Sequence, residues 1–146
     1  MSYTYNYFRP MVSADVVLFK KNGNQVSILL IKRLNPPYKD CWALPGGFLE
    51  EDESLLDCAN RELKEETNIS GIELEQLHAF GDPGRDPRGH CVTIVYLGWV
   101  HNLTNQPIAG DDAKEVQWFP LAELPVLAFD HKKVIEMAEK KIGSHP

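Results

Sequence analysis

Within "NRELKEETNI", Glu62, Glu65 and Glu66 stand three and four residues apart. A helix turns about 100° per residue, so these three carboxylates share an arc of roughly 100°. Unit charges about 6 Å apart repel by roughly 2–3 kcal/mol per pair at an effective dielectric of ~20, and by under ~1 kcal/mol in water. The bland account is a solvated acidic face, which Lys or Arg at alternate turns would relieve; none is expected on this arc. The alternative is a cation site. Carboxylates are hard oxygen donors of the kind Mg²⁺ or Mn²⁺ take, and both ions keep positions open for water and phosphate oxygens. "LPGGFLEEDE" delivers a Gly-rich loop directly before the helix, where Gly46 and Gly47 let backbone approach a ligand closely.

The elements that hold these residues can be read around them. Ser54 is a candidate N-cap, with Asp57 three residues later, and Ser54 through Thr67 is read as helix. Leu56, Ala59 and Leu63 form its core-facing stripe. Cys58, one turn before Glu62, is expected to be a small buried residue. "VSADVVLF" (12–19) and "QVSILLIKR" (25–33) read as strands joined at Asn22-Gly23, a hairpin signal. A short strand in "CWALPG", strands over 72–80 and 91–100, and another in "EVQWFP" follow, with a last helix capped by Asp130 and burying Val134, Ile135 and Ala138. Strands, a helix, more strands and a closing helix make a mixed sheet with helices packed on it, an α+β class with no regular βαβ alternation.

Composition sets the outer bounds. The 146 residues suit one domain spanning 1–146. A chain of this size needs no metal merely to fold, so any metal serves chemistry. The net charge of −6 argues against nucleic acid or an anionic membrane as partner, while a bound divalent cation would still let an anionic ligand approach. Cys41, Cys58 and Cys91 are widely spaced and odd in number, which signals neither a disulfide framework nor a zinc site. No apolar signal core or membrane-length stretch is present in the sequence, so a cytoplasmic protein is expected.

Gly47, five residues, Glu53, seven residues and then Arg61-Glu62-Leu63-x-Glu65-Glu66-x-x-Ile69 closely resembles the signature of the Nudix hydrolases. The match runs over 23 residues, and Asn68, where the pattern has Gly, is its one departure. That position ends the helix, and Asn is the next best residue for the left-handed conformation Gly supplies there. The resemblance implies a Nudix-type α/β/α sandwich with a mixed β-sheet between helices. It implies Mg²⁺ (or Mn²⁺) held by Glu62, Glu65 and Glu66 with the Gly46 carbonyl, and Arg61 oriented by pairing with Glu53. It also implies hydrolysis of a nucleoside diphosphate linked to another moiety.

"FGDPGRDPRGH" (80–90) resembles a string found in ADP-ribose pyrophosphatases and their near relatives, and Pro83 falls fifteen residues past Asn68, near that subgroup's proline. "YFRPMVSADVVLF", "LLIKR", "WALPGGFLE" and "AGDDAKEVQWFPLAELP" agree with the same subgroup. The implied reaction is ADP-ribose to AMP and ribose 5-phosphate. On that resemblance Arg33, Arg85 and Arg88 are candidate phosphate or ribose contacts. Phe8 and Arg9 are candidates to reach a base from a partner subunit, a homodimer being common in this group. The general base is either a helix glutamate or an acid among Asp111, Asp112 and Glu115; His90 is read as structural. Two rivals remain: a Nudix enzyme acting on oxidised nucleoside triphosphates, and a non-catalytic domain sensing ADP-ribose or related metabolites. The second is set against a chain end at Pro146, which is expected to leave no room for a DNA-binding module.

Overall fold

The computed structural model describes residues 2–101, 107–110 and 113–143. Among the described residues seven strands form one sheet: β1 (Met11–Asn22), β2 (Gln25–Arg33), β3 (Trp42–Ala43), β4 (Gly46–Phe48), β5 (Glu75–Phe80), β6 (Cys91–Val100) and β7 (Ala113–Pro120). Among the described residues the α-helices are α1 (Leu55–Thr67) and α2 (His131–Gly143), with a 3-10 turn at Leu121–Glu123. The main path runs β3-β2-β1-β6-β5, with β4 beside β1 and β7 beside β2. β1 and β6 are parallel and the other pairs antiparallel, so the sheet is mixed as expected.

The near-continuous apolar runs of β1 and β2 follow from burial on both faces. Ala14, Val16, Leu18 and Leu29 pack against Cys58, Ala59 and Leu63 of α1. Val17, Phe19, Ile28 and Leu30 pack against Val134, Ile135 and Ala138 of α2. A helix therefore covers each face, and the α/β/α layering is present. In the β1–β2 hairpin Gly23 takes the first loop position with φ of 66°, a conformation a β-carbon disfavours.

Two expectations about the helices need correction. Leu56 is 44% exposed and does not belong to the α1 stripe; fully buried Cys58 takes the inward place, because the buried face is centred on Cys58, Ala59 and Leu63. Asp130 precedes α2, but both its carboxylate oxygens accept from Arg85 instead of capping the helix.

β1 divides its neighbours in a way that shapes the site. Residues 13–15 pair with β4 and residues 19–22 with β2, while β6 runs along the other edge from Met11 to Lys20. Where β4 and β2 part, the sheet opens into a cleft of about 460 Å³. That size lies within the usual range of small-molecule pockets, roughly 300–1,000 Å³.

Candidate active site

One wall of the cleft is acidic. α1 begins where expected, Ser54 Oγ accepting from the Asp57 N–H at 3.1 Å, and ends at Asn68 with φ of 64° and ψ of 16°. Asn68 thus adopts the left-handed geometry that Gly would supply, and the departure from the signature leaves the helix end intact. Between these caps the helix presents Glu62 and Glu66 to the cleft. Glu66 is only 6% exposed, and its Oε1 accepts from the Gly46 N–H at 2.7 Å.

The register of β4 explains that contact. Val16 donates to Pro45 and Leu49 to Val12, so Gly46 lies opposite Asp15 at a non-hydrogen-bonded position. Its N–H and C=O therefore point away from β1. The N–H meets Glu66, and the carbonyl emerges along the same edge.

Arg61 organises the remaining acids. It donates to Glu53 from Nε at 2.6 Å and Nη2 at 3.0 Å, the pairing expected from the sequence. Nη1 then reaches Glu62 at 2.7 Å and Glu65 at 3.1 Å, and Nη2 the Phe48 carbonyl at 3.0 Å. The arc is consequently not without a cation: Arg61 reaches it from the preceding turn. These bonds hold the Glu53 carboxyl down at about 2 and push the guanidinium pKa up. Beside them burial pushes the Cys58 thiol up to about 12, so it is an inert packing group here.

The expected convergence of Glu62, Glu65 and Glu66 is incomplete. Glu65 is turned to Arg61 and stands outside the cleft lining. Among the described residues no three Asp, Glu, His or Cys side chains gather closely enough to enclose an ion. The donor set nevertheless fits a hard divalent cation. Glu50, Glu53, Glu62 and Glu65 surround the single positive charge of Arg61, with Glu66 and the Gly46 carbonyl adjacent. An ion there would be held by Glu62, Glu66 and Gly46, with Glu65 rotating off Arg61.

The opposite wall is basic and aromatic. Arg33 lines the cleft with Nε donating to the Pro37 carbonyl at 2.7 Å and its guanidinium 5.1 Å from the Phe129 ring. Arg88 lies over Phe48 at 4.8 Å and Phe129 at 5.4 Å. Asp86, 4% exposed, grips Arg88 through its backbone N–H, Nε and Nη2. Burial pushes the Asp86 carboxyl up, but the Arg88 bonds outweigh it and the net shift is down.

Arg85 borders the cleft too, although its fork is committed to Asp130 at 2.9 and 2.7 Å. Arg85 is a candidate phosphate or ribose contact, and its burial at the cleft rim brings an internal counter-ion to it. Arg9 lies over the Tyr5 ring at 3.9 Å and Phe8 stacks on His90 at 5.9 Å, both outside the cleft lining. His90 Nε2 bonds the Gly81 carbonyl at 2.7 Å, a structural role. Glu115 faces Lys32 at 3.4 Å, away from the cleft, and Asp111 and Asp112 lie outside the described residues.

Comparison with known proteins settles the family. A NUDIX domain profile matches residues 9–138. The chain belongs to the Nudix hydrolase family. It is 45% identical over 130 residues to an ADP-ribose pyrophosphatase of Methanocaldococcus jannaschii, covering 89% of this chain and 73% of that one. It is 37% identical to an ADPR-responsive transcriptional repressor of Acinetobacter baylyi, covering 95% of this chain but only 57% of the repressor. Its structure matches the NUDIX domain of Shewanella oneidensis NrtR in complex with ADP ribose, with a TM-score of 0.86 at 36% identity, covering 93% and 90% of the two chains. The acidic wall is thus the Nudix helix, and the RDPRGH loop supplies part of the wall facing it.

Asp15, Asp86, Phe129 and His131 are among the cleft residues that local sequence patterns do not single out. Asp15 carried a signal, a lone acid inside the apolar run "VSADVVLF". The His131 partnership had none, because Leu44 and His131 meet across 87 positions.

Proposed function

We propose that this Nudix hydrolase cleaves ADP-ribose to AMP and ribose 5-phosphate with Mg²⁺. The observation that carries the reading is the division of one cleft into a carboxylate wall on α1 and an arginine–aromatic wall opposite. The relative at 45% identity, an ADP-ribose pyrophosphatase, supports the substrate. Diphosphates resist attack because their own charge repels nucleophiles, and Mg²⁺ would neutralise that charge and acidify the attacking water. Glu62, Glu65 and Glu66 with the Gly46 carbonyl are the proposed ligands.

The protein's own groups do the rest. Arg61 orients Glu62 and Glu65 while Glu53 fixes Arg61. Arg33 and Arg88 donate to phosphate or ribose oxygens, and Arg85 stiffens the rim through Asp130. Gly47 leaves room for Glu62. The general base is proposed on the segment holding Asp111 and Asp112; in support, the adjoining Gly110 N–H bonds the Glu66 carbonyl at 3.2 Å. Glu115, turned to Lys32, is the weaker candidate. Arg9 and Phe8 would reach a nucleotide only from a second copy in a homodimer. No described helix is long and apolar enough to cross a membrane.

A second reading is sensing, favoured by the 37% identity to the ADPR-responsive repressor. A panel of ADP-ribose, NADH, sugar nucleotides and 8-oxo-dGTP with Mg²⁺ separates the two. The hydrolase reading expects ADP-ribose to give the highest kcat/KM. Binding of ADP-ribose with no turnover of any compound would favour sensing, and preference for 8-oxo-dGTP would reject the substrate.

A further inference from the structure

At the floor of the cleft one acid presents an unused oxygen. Asp15 leaves β1 toward the α2 side of the sheet and is 9% exposed. Its Oδ2 accepts from Thr93 Oγ1 on β6 at 2.6 Å and stands 3.9 Å from His131 Nε2, too far for a hydrogen bond. Among the described residues no partner reaches Oδ1. Yet among the described residues no buried side-chain nitrogen or oxygen lacks a partner, so Oδ1 opens onto the cleft that Asp15 lines.

Gly46 keeps that opening clear, since a β-carbon there would overlap Asp15 Oδ1. The Gly46 N–H is the group bonded to Glu66. The open oxygen therefore lies one backbone residue from the Nudix-helix carboxylates, beside the place the diphosphate takes in the proposed reaction. His131 adds the complementary group. Its Nδ1 accepts from the Leu44 N–H at 3.0 Å, and burial lowers its pKa, so the ring is neutral with its hydrogen on Nε2, on the Asp15 side.

A carboxylate oxygen accepts only and repels phosphate oxygens, so its match on the substrate is a hydrogen-bond donor, which a sugar supplies as hydroxyls. An acceptor and an N–H donor side by side fit the hydroxyls of a sugar. We propose that Asp15 Oδ1, on a carboxylate whose other oxygen stands 3.9 Å from His131 Nε2, is a hydroxyl subsite that selects a sugar on the far side of the diphosphate from the nucleoside. This rests on the diphosphate reading above and deepens it by naming what selects the leaving half.

The test compares ADP-ribose with the β-methyl ester of ADP, which keeps the diphosphate and lacks the second sugar. kcat/KM with Mg²⁺ and equilibrium Kd by calorimetry without divalent metal are measured for wild type, Asp15→Ala and Asp15→Asn. In wild type ADP-ribose is expected to be preferred, and Asp15→Ala is expected to reduce that preference at least about tenfold, equivalent to 1.4 kcal/mol. Asp15→Asn, which keeps an acceptor, falls between. Should Asp15→Ala fail to fold, Thr93→Val, which releases Oδ2 with little change of shape, gives the same reading at smaller amplitude. An unchanged ratio overturns the subsite, whether both ligands weaken together or neither does, and so does a wild type without preference. If wild type binds but hydrolyses neither compound, the hydrolase reading fails while the Kd ratio still decides the subsite.

Discussion

Gly47 and Glu62 occupy adjoining space so tightly that a β-carbon on Gly47 would lie 2.5 Å from each carboxylate oxygen of Glu62. The neighbour that must yield is the end of a flexible side chain. Gly47→Ala is therefore expected to swing the Glu62 carboxylate aside, lowering kcat by about 10²-fold, on the scale of losing one electrostatic contact to the reacting group. Stability should change by under about 1 kcal/mol. Gly46→Ala differs, because its β-carbon would overlap the Ala14 carbonyl and approach Asp15 Cα at 2.9 Å. Backbone cannot step aside so cheaply, so a loss of about 2 kcal/mol or more is expected, in the range of overpacked sites. Urea unfolding with steady-state kinetics on both variants checks the contrast.

Glu53 should leave a mark on acid stability. Arg61 hydrogen bonding holds its folded pKa at about 2, below the ordinary 4.5. The unfolded chain therefore binds the proton more readily, and the stability from this pair is fully present above about pH 4.5 and lost as pH falls toward 2. Thermal midpoints across that window should fall more steeply for wild type than for Glu53→Gln.

How much of this was legible depended on whether residues act through local spacing. The α1 caps, the glutamate arc and the Arg61–Glu53 pair all lie between Glu53 and Asn68, and helix geometry decides them. Leu56 is apolar yet exposed because the buried face of α1 is centred on Cys58, Ala59 and Leu63, a centre that hydrophobicity alone does not fix. The Arg85 ion pair is not legible locally, because Asp130, forty-five residues away, is brought beside Arg85 only by the fold. The cleft itself arises where β1 exchanges β2 for β4, which is a pairing choice and not a residue pattern.

His131 gives a second, separate pH signature. Burial lowers its pKa, so the folded state resists the proton that the unfolded chain accepts below its ordinary 6.5. Stability contributed by the neutral ring is present above pH 6.5 and declines as pH drops below it. His131→Asn keeps an acceptor for the Leu44 N–H and should flatten the profile between about pH 6.5 and 5, the region below the ordinary histidine pKa. His131→Leu leaves that N–H unsatisfied and should cost about 1–3 kcal/mol at every pH.

Asp130 is the counter-ion of a guanidinium only 6% exposed. Asp130→Ala leaves Arg85 charged and unpaired at the cleft rim, a change worth about 3–5 kcal/mol for buried pairs. Because Asp130 is 22% exposed, the lower end is expected. Chemical denaturation measures it directly, and Asp130→Asn should recover part of the loss.

The central claim is that α1 carries a metal-dependent hydrolytic centre for ADP-ribose. Glu66→Gln keeps an acceptor for the Gly46 N–H and so preserves the fold, but removes the charge a divalent cation needs. The decisive measurement is the rate of AMP and ribose 5-phosphate release from ADP-ribose, with Mg²⁺ and with chelator, for wild type and Glu66→Gln. The account predicts turnover by wild type only with Mg²⁺, and a loss of about 10³-fold or more in Glu66→Gln at an unchanged melting temperature, the scale of removing a main charge-stabilising group. Full activity in Glu66→Gln, or equal rates with Mg²⁺ and chelator, would contradict it.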